Sequence, residues 1–250
     1  METNPETYLS GEISGPILVP EENKRPLLDH LEELRLRLLR SLLWVGLGSI
    51  FCFSKAPVIL FVLLQPVGRV VFLSPAEPFL VTLKIAILGG LFLGFPLVAW
   101  EAWSFLRPAA FPYERRLFFF YLPLSVALFF CGAWFGWRVL LPTGLTFLLR
   151  FGSDLLVPML SVGSVLGFAG WLIMASALIF EMPIVILFLT WRKIISPASL
   201  LKHWRVALVV TLVVAAALTP TPDVVTQLLL AGPMMGLYLL SVVLAYALAR

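Results

Sequence analysis

Residues 26–40 read PLLDHLEELRLRLLR and stand directly ahead of the first long apolar run of the chain. Leucines recur in this segment at helical spacing, so on a helix they form one apolar stripe: Leu27, Leu31, Leu34 and Leu38. Acidic residues occupy the early turns and arginines the later ones, which suits the helix dipole, and Glu33 and Arg37 form an i,i+4 pair. The pattern predicts an amphipathic helix that lies on a membrane surface and continues into a span. A role limited to orienting that span explains the same pattern.

The composition of the whole chain is that of a protein that crosses a membrane several times. Of 250 residues, 60% are hydrophobic and 13% are charged, and the mean hydropathy is +1.00. Soluble domains carry about a quarter charged residues. Long apolar runs predict helices and exclude an outer-membrane barrel. The expected fold class is therefore an all-α integral membrane protein. The net charge of +4 does not indicate a nucleic-acid partner, because the basic residues sort by membrane side.

Six transmembrane helices are predicted from the apolar runs. Their approximate ranges are 38–54, 79–105, 117–141, 162–191, 206–218 and 224–249. The fifth run is short for a bilayer core of roughly 30 Å, so local thinning of the bilayer is expected around it. The run 58–64 is too brief to cross. A second outer loop, which contains one short helix, is expected to begin at Pro142.

The lysines and arginines are distributed unequally between the two sides of these spans. One side carries thirteen of the 18, the other carries four, and Lys84 falls inside the second span. Both termini are therefore expected in the cytoplasm. Residues 1–25 hold five glutamates and are expected to form a loosely ordered cytoplasmic extension, whereas residues 26–250 form a single transmembrane domain.

Two carboxylates are candidates for a binding site on the cytoplasmic side. Glu33 lies in the amphipathic segment, and Glu114 lies in the elbow 107–116, which two prolines stiffen. Fixed carboxylates suit a ligand that carries arginine, because a guanidinium is planar and forked. Ordinary surface pairing explains Glu114 as well. Its possible partners in that case are Arg107, Arg115 and Arg116.

Glu181 is the most specific polar signal in the apolar half of the chain. It lies within the fourth predicted span, where a carboxylate is costly unless it faces protein, water or a polar partner. Pro183 should kink the helix beside it. Lys84 is the obvious opposite charge, unless its side chain reaches the outer face instead. A purely structural polar anchor is the alternative.

The turn between the fifth and sixth spans carries the remaining polar candidates. Asp223 can cap the start of the sixth span, and Gln227 follows one turn later. Capping alone explains Asp223.

The chain contains no HExxH, GxSxG, P-loop or dinucleotide motif, and its two cysteines lack metal-ligand spacing. We therefore expect neither an enzyme nor a cofactor nor a metal site.

Several of these stretches, in this order, resemble the TatC family, the polytopic subunit of the twin-arginine protein translocase. The resemblance covers residue 26 to about residue 248. It rests on HLEELR at 30–35, SPAEPF at 74–79, YERR at 113–116, FEMP at 180–183, and residues 219–223 together with Gln227.

The resemblance implies a cup-shaped bundle of six tilted helices with both termini in the cytoplasm. The first two outer loops would form a cap. The candidate structural or functional residues of the outer loops are Pro66, Glu77, Asp223 and Gln227. It also implies a receptor for signal peptides that carry two consecutive arginines, with Glu33, Arg35, Glu114 and Arg115 at the binding site. Glu181 would be the polar residue inside the cup.

The family also implies partners and an energy source. Single-span subunits of A and B type would dock on the bundle, with span five a favoured place. Several copies would assemble in the cytoplasmic (inner) membrane, and folded cargo would cross by the proton-motive force. Two other classes of function stay open on the residues alone. They are a proton- or ion-coupled small-molecule transporter that uses Glu181 and a passive membrane scaffold.

Overall fold

The computed structural model describes residues 27–65, 67–68, 70–106, 115–150, 159–219 and 224–248. The helices in these ranges are α1 (Leu27–Ser54), α2 (Ala56–Leu64), α3 (Glu77–Leu106), α4 (Arg115–Phe135), α5 (Leu141–Leu149), α6 (Val162–Ile179), α7 (Met182–Trp191), α8 (Pro197–Lys202), α9 (Trp204–Leu218) and α10 (Val224–Leu248). A π-helical turn, Gly136–Leu140, joins α4 to α5. The predicted extension 1–25 lies outside the described residues.

Five stretches of the described chain are long and apolar enough to cross a membrane. They are His30–Ser54, Glu77–Phe105, Phe120–Leu149, Val162–Trp191 and Val224–Ala247. The predicted fifth span is present as α9, an apolar helix of 15 residues. At 1.5 Å per residue it is about 22 Å long, which is less than the roughly 30 Å of a bilayer core. The all-helical, multi-span membrane class predicted from composition is confirmed.

Helix α1 contains both the amphipathic segment and the first predicted span. It is one unbroken helix from Leu27 to Ser54. Residues 27–45 contain no glycine or proline, so nothing in the sequence interrupts the helical hydrogen bonds. The amphipathic segment therefore extends the span directly and is not a separate helix.

The third predicted span ends later than expected. The sequence places its end at about Leu141 and an outer loop from Pro142, but the helix continues through α5 to Leu149. The π-helical turn lies directly ahead of Pro142, and the Leu141 amide donates to the Gly136 carbonyl oxygen. This change of hydrogen-bond register accommodates a residue that has no amide proton to donate. The short helix expected after Pro142 is present as α5, but it continues the span and is not part of a separate loop.

The fourth predicted span is divided as Pro183 predicts. Helix α6 ends at Ile179, and α7 begins at Met182 with a proline in its first turn. Phe180 and Glu181 form the turn between them and keep right-handed backbone angles. Despite the break, α6 and α7 together form one stretch long enough to cross a membrane, Val162–Trp191. Glu181 lies at the junction between the two helices.

Helices α1 and α3 approach each other backbone to backbone. A Cβ atom added at Gly90 would lie 2.6 Å from both the Val45 carbonyl oxygen and the Ser49 amide nitrogen. One added at Gly48 would lie 3.0 Å from the Gly90 carbonyl oxygen. Small residues permit such contact between membrane helices. This contact fixes the position of α1 along α3, and with it the side chains that meet at the ends of the two helices.

The most deeply buried side chains lie where α4, α5, α6, α9 and α10 meet. Leu140, Leu141, Leu172, Ala215 and Leu230 are at most 1% exposed and belong to one cluster.

The segments before α3 and before α6 form a parallel β-bridge. The Val71 amide donates to the Leu160 carbonyl oxygen at 2.9 Å, and the Val162 amide donates to the Val71 carbonyl oxygen at 2.9 Å.

Candidate functional site

Glu33, Arg37 and Glu101 form an ion-pair cluster between α1 and α3. Arg37 donates to Glu33 Oε1 from Nη2 at 2.7 Å and from Nε at 3.2 Å. Its Nη1 donates to Glu101 Oε2 at 3.2 Å. The predicted pair between Glu33 and Arg37 is confirmed. One guanidinium is thus shared by the carboxylates of two helices.

Glu101 is a member of this cluster that the sequence reasoning missed. It lies near the end of α3 and is 9% exposed, so its charge is held largely away from water. A carboxylate inside a predicted span is costly without a partner, and this was the signal that could have identified it. The partner is Arg37, which lies one helix away and 64 positions earlier in the chain.

The other predicted members of the cytoplasmic site are less fully described. Arg35 is exposed on α1. Arg115 is the first residue of α4, and its side chain lies outside the described part of the structure. Glu114 also lies outside the described residues. The structure therefore brings Glu33 together with Glu101, while a shared site for Glu33 and Glu114 stays a prediction.

Glu181 is held by a serine and not by a lysine. Ser125 on α4 donates a hydrogen bond from Oγ to Glu181 Oε2 at 2.8 Å. Lys84, the expected opposite charge, is exposed on α3. Glu181 Oε1 is buried and has no hydrogen-bond partner among the described residues. The carboxyl group is thus fixed through one oxygen and keeps an unused acceptor within the helix bundle.

Glu77 joins the two segments of the β-bridge. Its Oε2 accepts from the Leu73 amide at 2.6 Å, and its Oε1 accepts from the Gly163 amide at 2.7 Å and from the Ser161 hydroxyl. A larger residue at position 163 would have to displace the Glu77 carboxylate, because an added Cβ would lie 2.7 Å from Glu77 Oε1. The structural role predicted for Glu77 has a clear physical basis here.

The remaining predicted residues of the outer side differ in what the structure shows of them. Gln227 Nε2 donates to the Leu212 carbonyl oxygen at 3.0 Å and so links α10 to α9. Pro66 and Asp223 lie outside the described residues.

Within the described ranges, no group of three or more histidine, cysteine, aspartate or glutamate side chains is arranged to hold a metal ion.

An apolar cavity of about 600 Å³ lies between α1, α2, α3, α4 and α6. Its described lining includes Phe51, Ile59, Phe92 and Trp134, and Lys55 is the charged residue among them. Such a surface suits hydrocarbon and not a polar solute. Glu181, the carboxylate that the transporter alternative would use, is not among the described residues of this lining.

The fold and the site together define a class of protein: a multi-span helical membrane protein in which two carboxylates share one arginine between two helices. The family model described as Sec-independent protein translocase protein (TatC) matches residues 29–233. The chain belongs to the TatC family of Sec-independent protein translocase proteins. The expected family is confirmed, and the transporter alternative is not favoured.

Relatives and solved structures agree with this assignment. The TatC protein of Carboxydothermus hydrogenoformans is 37% identical over 90% of this chain and 94% of its own length. That of Synechocystis is 34% identical over 95% of each chain. A crystal structure described as the twin-arginine translocase receptor TatC has a TM-score of 0.76 and 34% identity, over 88% of this chain and 100% of its own. A second, in the detergent DDM, has a TM-score of 0.77.

Proposed function

We propose that this protein is the receptor subunit of a twin-arginine translocase and that Glu33 helps to bind the arginine pair of a cargo signal peptide. The observation that carries the proposal is that Glu33 already binds a guanidinium, with Arg37 donating to it at 2.7 and 3.2 Å. Backbone contact between α1 and α3 holds this carboxylate in position. The solved relatives described as twin-arginine translocase receptors support the same function.

The chemistry of the cluster favours arginine over lysine in the signal peptide. A guanidinium can direct two parallel N–H groups at a carboxylate, whereas an ammonium acts as a point charge. Each charge-assisted hydrogen bond contributes roughly 1.5–3 kcal/mol. In the proposed site, Glu33 takes one arginine and Glu114 the other. Arg35 and Arg115, which the family resemblance assigns to the same site, complete it.

The proposal includes six membrane crossings in a cup-shaped bundle, with α9 as the fifth crossing. Two carbonyl oxygens of α9 accept hydrogen bonds from neighbouring helices: Trp171 Nε1 donates to Leu218 at 2.7 Å and Gln227 Nε2 to Leu212 at 3.0 Å. These bonds support a short helix at membrane depth, where backbone groups need partners. Six crossings bring both termini to one side, and the basic residues indicate the cytoplasm.

Helix α9 is also the proposed docking place for the single-span partner subunits. Its exposed valines recur at helical spacing and line one face: Val206, Val209, Val210 and Val213. An exposed apolar face on a helix that is short for the bilayer favours contact with another span. In this account the protein assembles in several copies with A-type and B-type subunits in the cytoplasmic membrane. Folded cargo then crosses by the proton-motive force.

Glu181 has a separate proposed role within the bundle. Its Oε1 is a buried acceptor without a partner among the described residues. A buried polar atom is normally hydrogen-bonded, so this oxygen is available to a donor supplied by a partner subunit or by the cargo. We infer that Glu181 provides this polar contact in the assembled translocase, while Ser125 holds its other oxygen.

Peptide binding to the purified protein in lipid nanodiscs tests the receptor proposal. Replacing Glu33 by Gln removes the charge that strengthens its hydrogen bonds, so binding of a labelled twin-arginine peptide should weaken about tenfold or more. Glu32→Gln is the matched control, because Glu32 is exposed and adjacent on α1, and it should bind as the wild type does. A twin-lysine peptide should bind poorly to the unaltered protein. Unchanged binding by a variant with both Glu33 and Glu114 replaced by Gln would refute the assignment.

A further inference from the structure

The guanidinium of Arg37 occupies the carboxylate that the proposed function assigns to the cargo. Two of its nitrogens donate to Glu33 Oε1, and the third donates to Glu101 Oε2. The side chains of all three residues are largely buried, with relative exposures of 19% for Arg37, 22% for Glu33 and 11% for Glu101. A cargo arginine that binds Glu33 must therefore enter a site where an arginine is already bound.

We propose that Arg37 is an internal competitor for the cargo arginine and that Glu101 is the carboxylate that receives Arg37 when the cargo binds. This inference rests on the proposed function and adds a mechanism to it. In the empty receptor, Arg37 bridges Glu33 and Glu101. In the loaded receptor, the cargo guanidinium takes Glu33, and Arg37 binds Glu101 alone. Arg37 and Glu101 are thus positioning residues for the arginine-binding site.

The geometry makes this exchange a small movement. Arg37 Nη1 already lies 3.2 Å from Glu101 Oε2, so rotation of the side chain is sufficient and the two helices keep their contact. A guanidinium has five N–H donors in a planar fork and can form two parallel bonds to one carboxylate. No bond to Glu33 is then needed to keep Arg37 paired.

Glu101 is required because of where the displaced charge would otherwise lie. Arg37 is 19% exposed, and a largely buried cation without a carboxylate is strongly disfavoured. With Glu101 present, the displaced guanidinium keeps a charged partner. If Glu101 is replaced by a neutral residue, Glu33 is the remaining described carboxylate near Arg37. Arg37 should then bind Glu33 more strongly. The other charged side chains described on this part of α1, Glu32, Arg35 and Arg40, are exposed.

The exchange also increases the selectivity of the site for a peptide arginine over a peptide lysine. Specificity depends on the difference between competing interactions, and here the competitor is itself a guanidinium with hydrogen bonds to two carboxylates. A guest ammonium cannot reproduce the fork and displaces Arg37 less readily than a guest guanidinium does. Weakening the competitor should therefore reduce the discrimination against a twin-lysine peptide.

A double-mutant cycle of peptide binding in nanodiscs tests the exchange. Arg37→Gln should bind a twin-arginine peptide several-fold more tightly than the wild type, because Arg37 no longer competes with the peptide for Glu33. Glu101→Gln should bind it about tenfold more weakly, because Arg37 has lost its alternative partner. The double variant should bind as Arg37→Gln does. Arg40→Gln, which removes an exposed arginine further along α1, is the control for overall charge and should bind as the wild type does.

Two outcomes would overturn the exchange. One is weaker binding by Arg37→Gln. The other is an equal loss from Glu101→Gln with and without Arg37, which would make Glu101 a direct contact of the peptide. Arg37→Lys serves as a second variant that keeps the charge but loses the fork, and it should bind more tightly and discriminate less against lysine.

The cycle also separates this mechanism from the proposed function. If Glu33→Gln weakens binding and the cycle is additive, the receptor proposal stands and the exchange fails. If the variant with both Glu33 and Glu114 replaced by Gln binds as the wild type does, the receptor proposal itself fails.

Discussion

Replacing Gly90 by alanine should separate the two helices that carry the ion-pair cluster. The added Cβ would lie 2.6 Å from the Val45 carbonyl oxygen and the Ser49 amide nitrogen. Both atoms belong to the backbone of α1, so no side-chain rotation can relieve the contact. The helices must therefore move apart or slide.

The size of the movement follows from these distances. An ordinary van der Waals contact begins at 3.4 Å, so the shortfall is 3.4 − 2.6 = 0.8 Å. Overpacking of this kind costs about 1–3 kcal/mol. The bond between Arg37 and Glu101, at 3.2 Å, has little room for a further 0.8 Å and should be lost. A residue in the middle of α3 is thus expected to affect the ion-pair cluster of Glu33, Arg37 and Glu101.

Reversible unfolding by sodium dodecyl sulfate in mixed micelles measures the loss of stability. Gly46→Ala is the matched control, because it adds the same methyl group to α1 at a site with no atom within 4 Å. This control should unfold as the wild type does, or slightly later because alanine favours the helix. Equal unfolding free energies for Gly90→Ala and Gly46→Ala would refute the claim that the backbones of α1 and α3 are in contact.

The remaining predictions concern the buried glutamate and the β-bridge. Ser125→Ala should lower the unfolding free energy by about 1–3 kcal/mol, because Glu181 Oε2 loses its donor, and Ser125→Thr should restore most of it. In vesicles that contain the partner subunits, Glu181→Gln should keep most export activity, whereas Glu181→Leu should lose it; full activity of the leucine variant would exclude a polar role. Gly163→Ala should displace the Glu77 carboxylate and speed proteolysis of the segment ahead of α3. Gly167→Ala has open space and should not, and equal proteolysis of the two variants would argue against this arrangement.

Local sequence patterns predicted the features that depend on one segment alone. The four-residue spacing of Glu33 and Arg37 predicted their ion pair, and both side chains lie on one face of α1. Pro183 predicted a kink beside Glu181, and the structure places this proline in the first turn of α7, directly after the break between α6 and α7. These expectations required no knowledge of the neighbouring helices.

Features that depend on contacts between helices were less predictable. The role of Glu101 appears only when α3 is packed against α1, 64 positions away in the chain. Lys84 looked like the partner of Glu181 because it has the opposite charge, yet Ser125 has the hydroxyl at the right depth on α4. The sequence also could not show that a π-helical turn carries the third span past Pro142.

The family motifs supplied what physical reasoning left open. Residues alone allowed either a surface ion pair or a ligand site at Glu33, and either an anchor or a coupling group at Glu181. The match of residues 29–233 to the TatC family decides the class of protein. The proposed recognition of arginine rests on the cluster of Glu33, Arg37 and Glu101, in which two carboxylates share one guanidinium.

The central proposal is that the cluster of Glu33, Arg37 and Glu101 between α1 and α3 binds the arginine pair of a signal peptide. The most direct test is photocrosslinking with a twin-arginine peptide that carries a photoreactive residue directly beside the arginines, so that the receptor keeps Glu33 intact. The account predicts adducts on α1 and α3 around Glu33 and Glu101, and their disappearance when excess unlabelled twin-arginine peptide competes. Adducts confined to the segments around Glu77 and Ser161, or adducts that a twin-lysine competitor removes equally well, would contradict it.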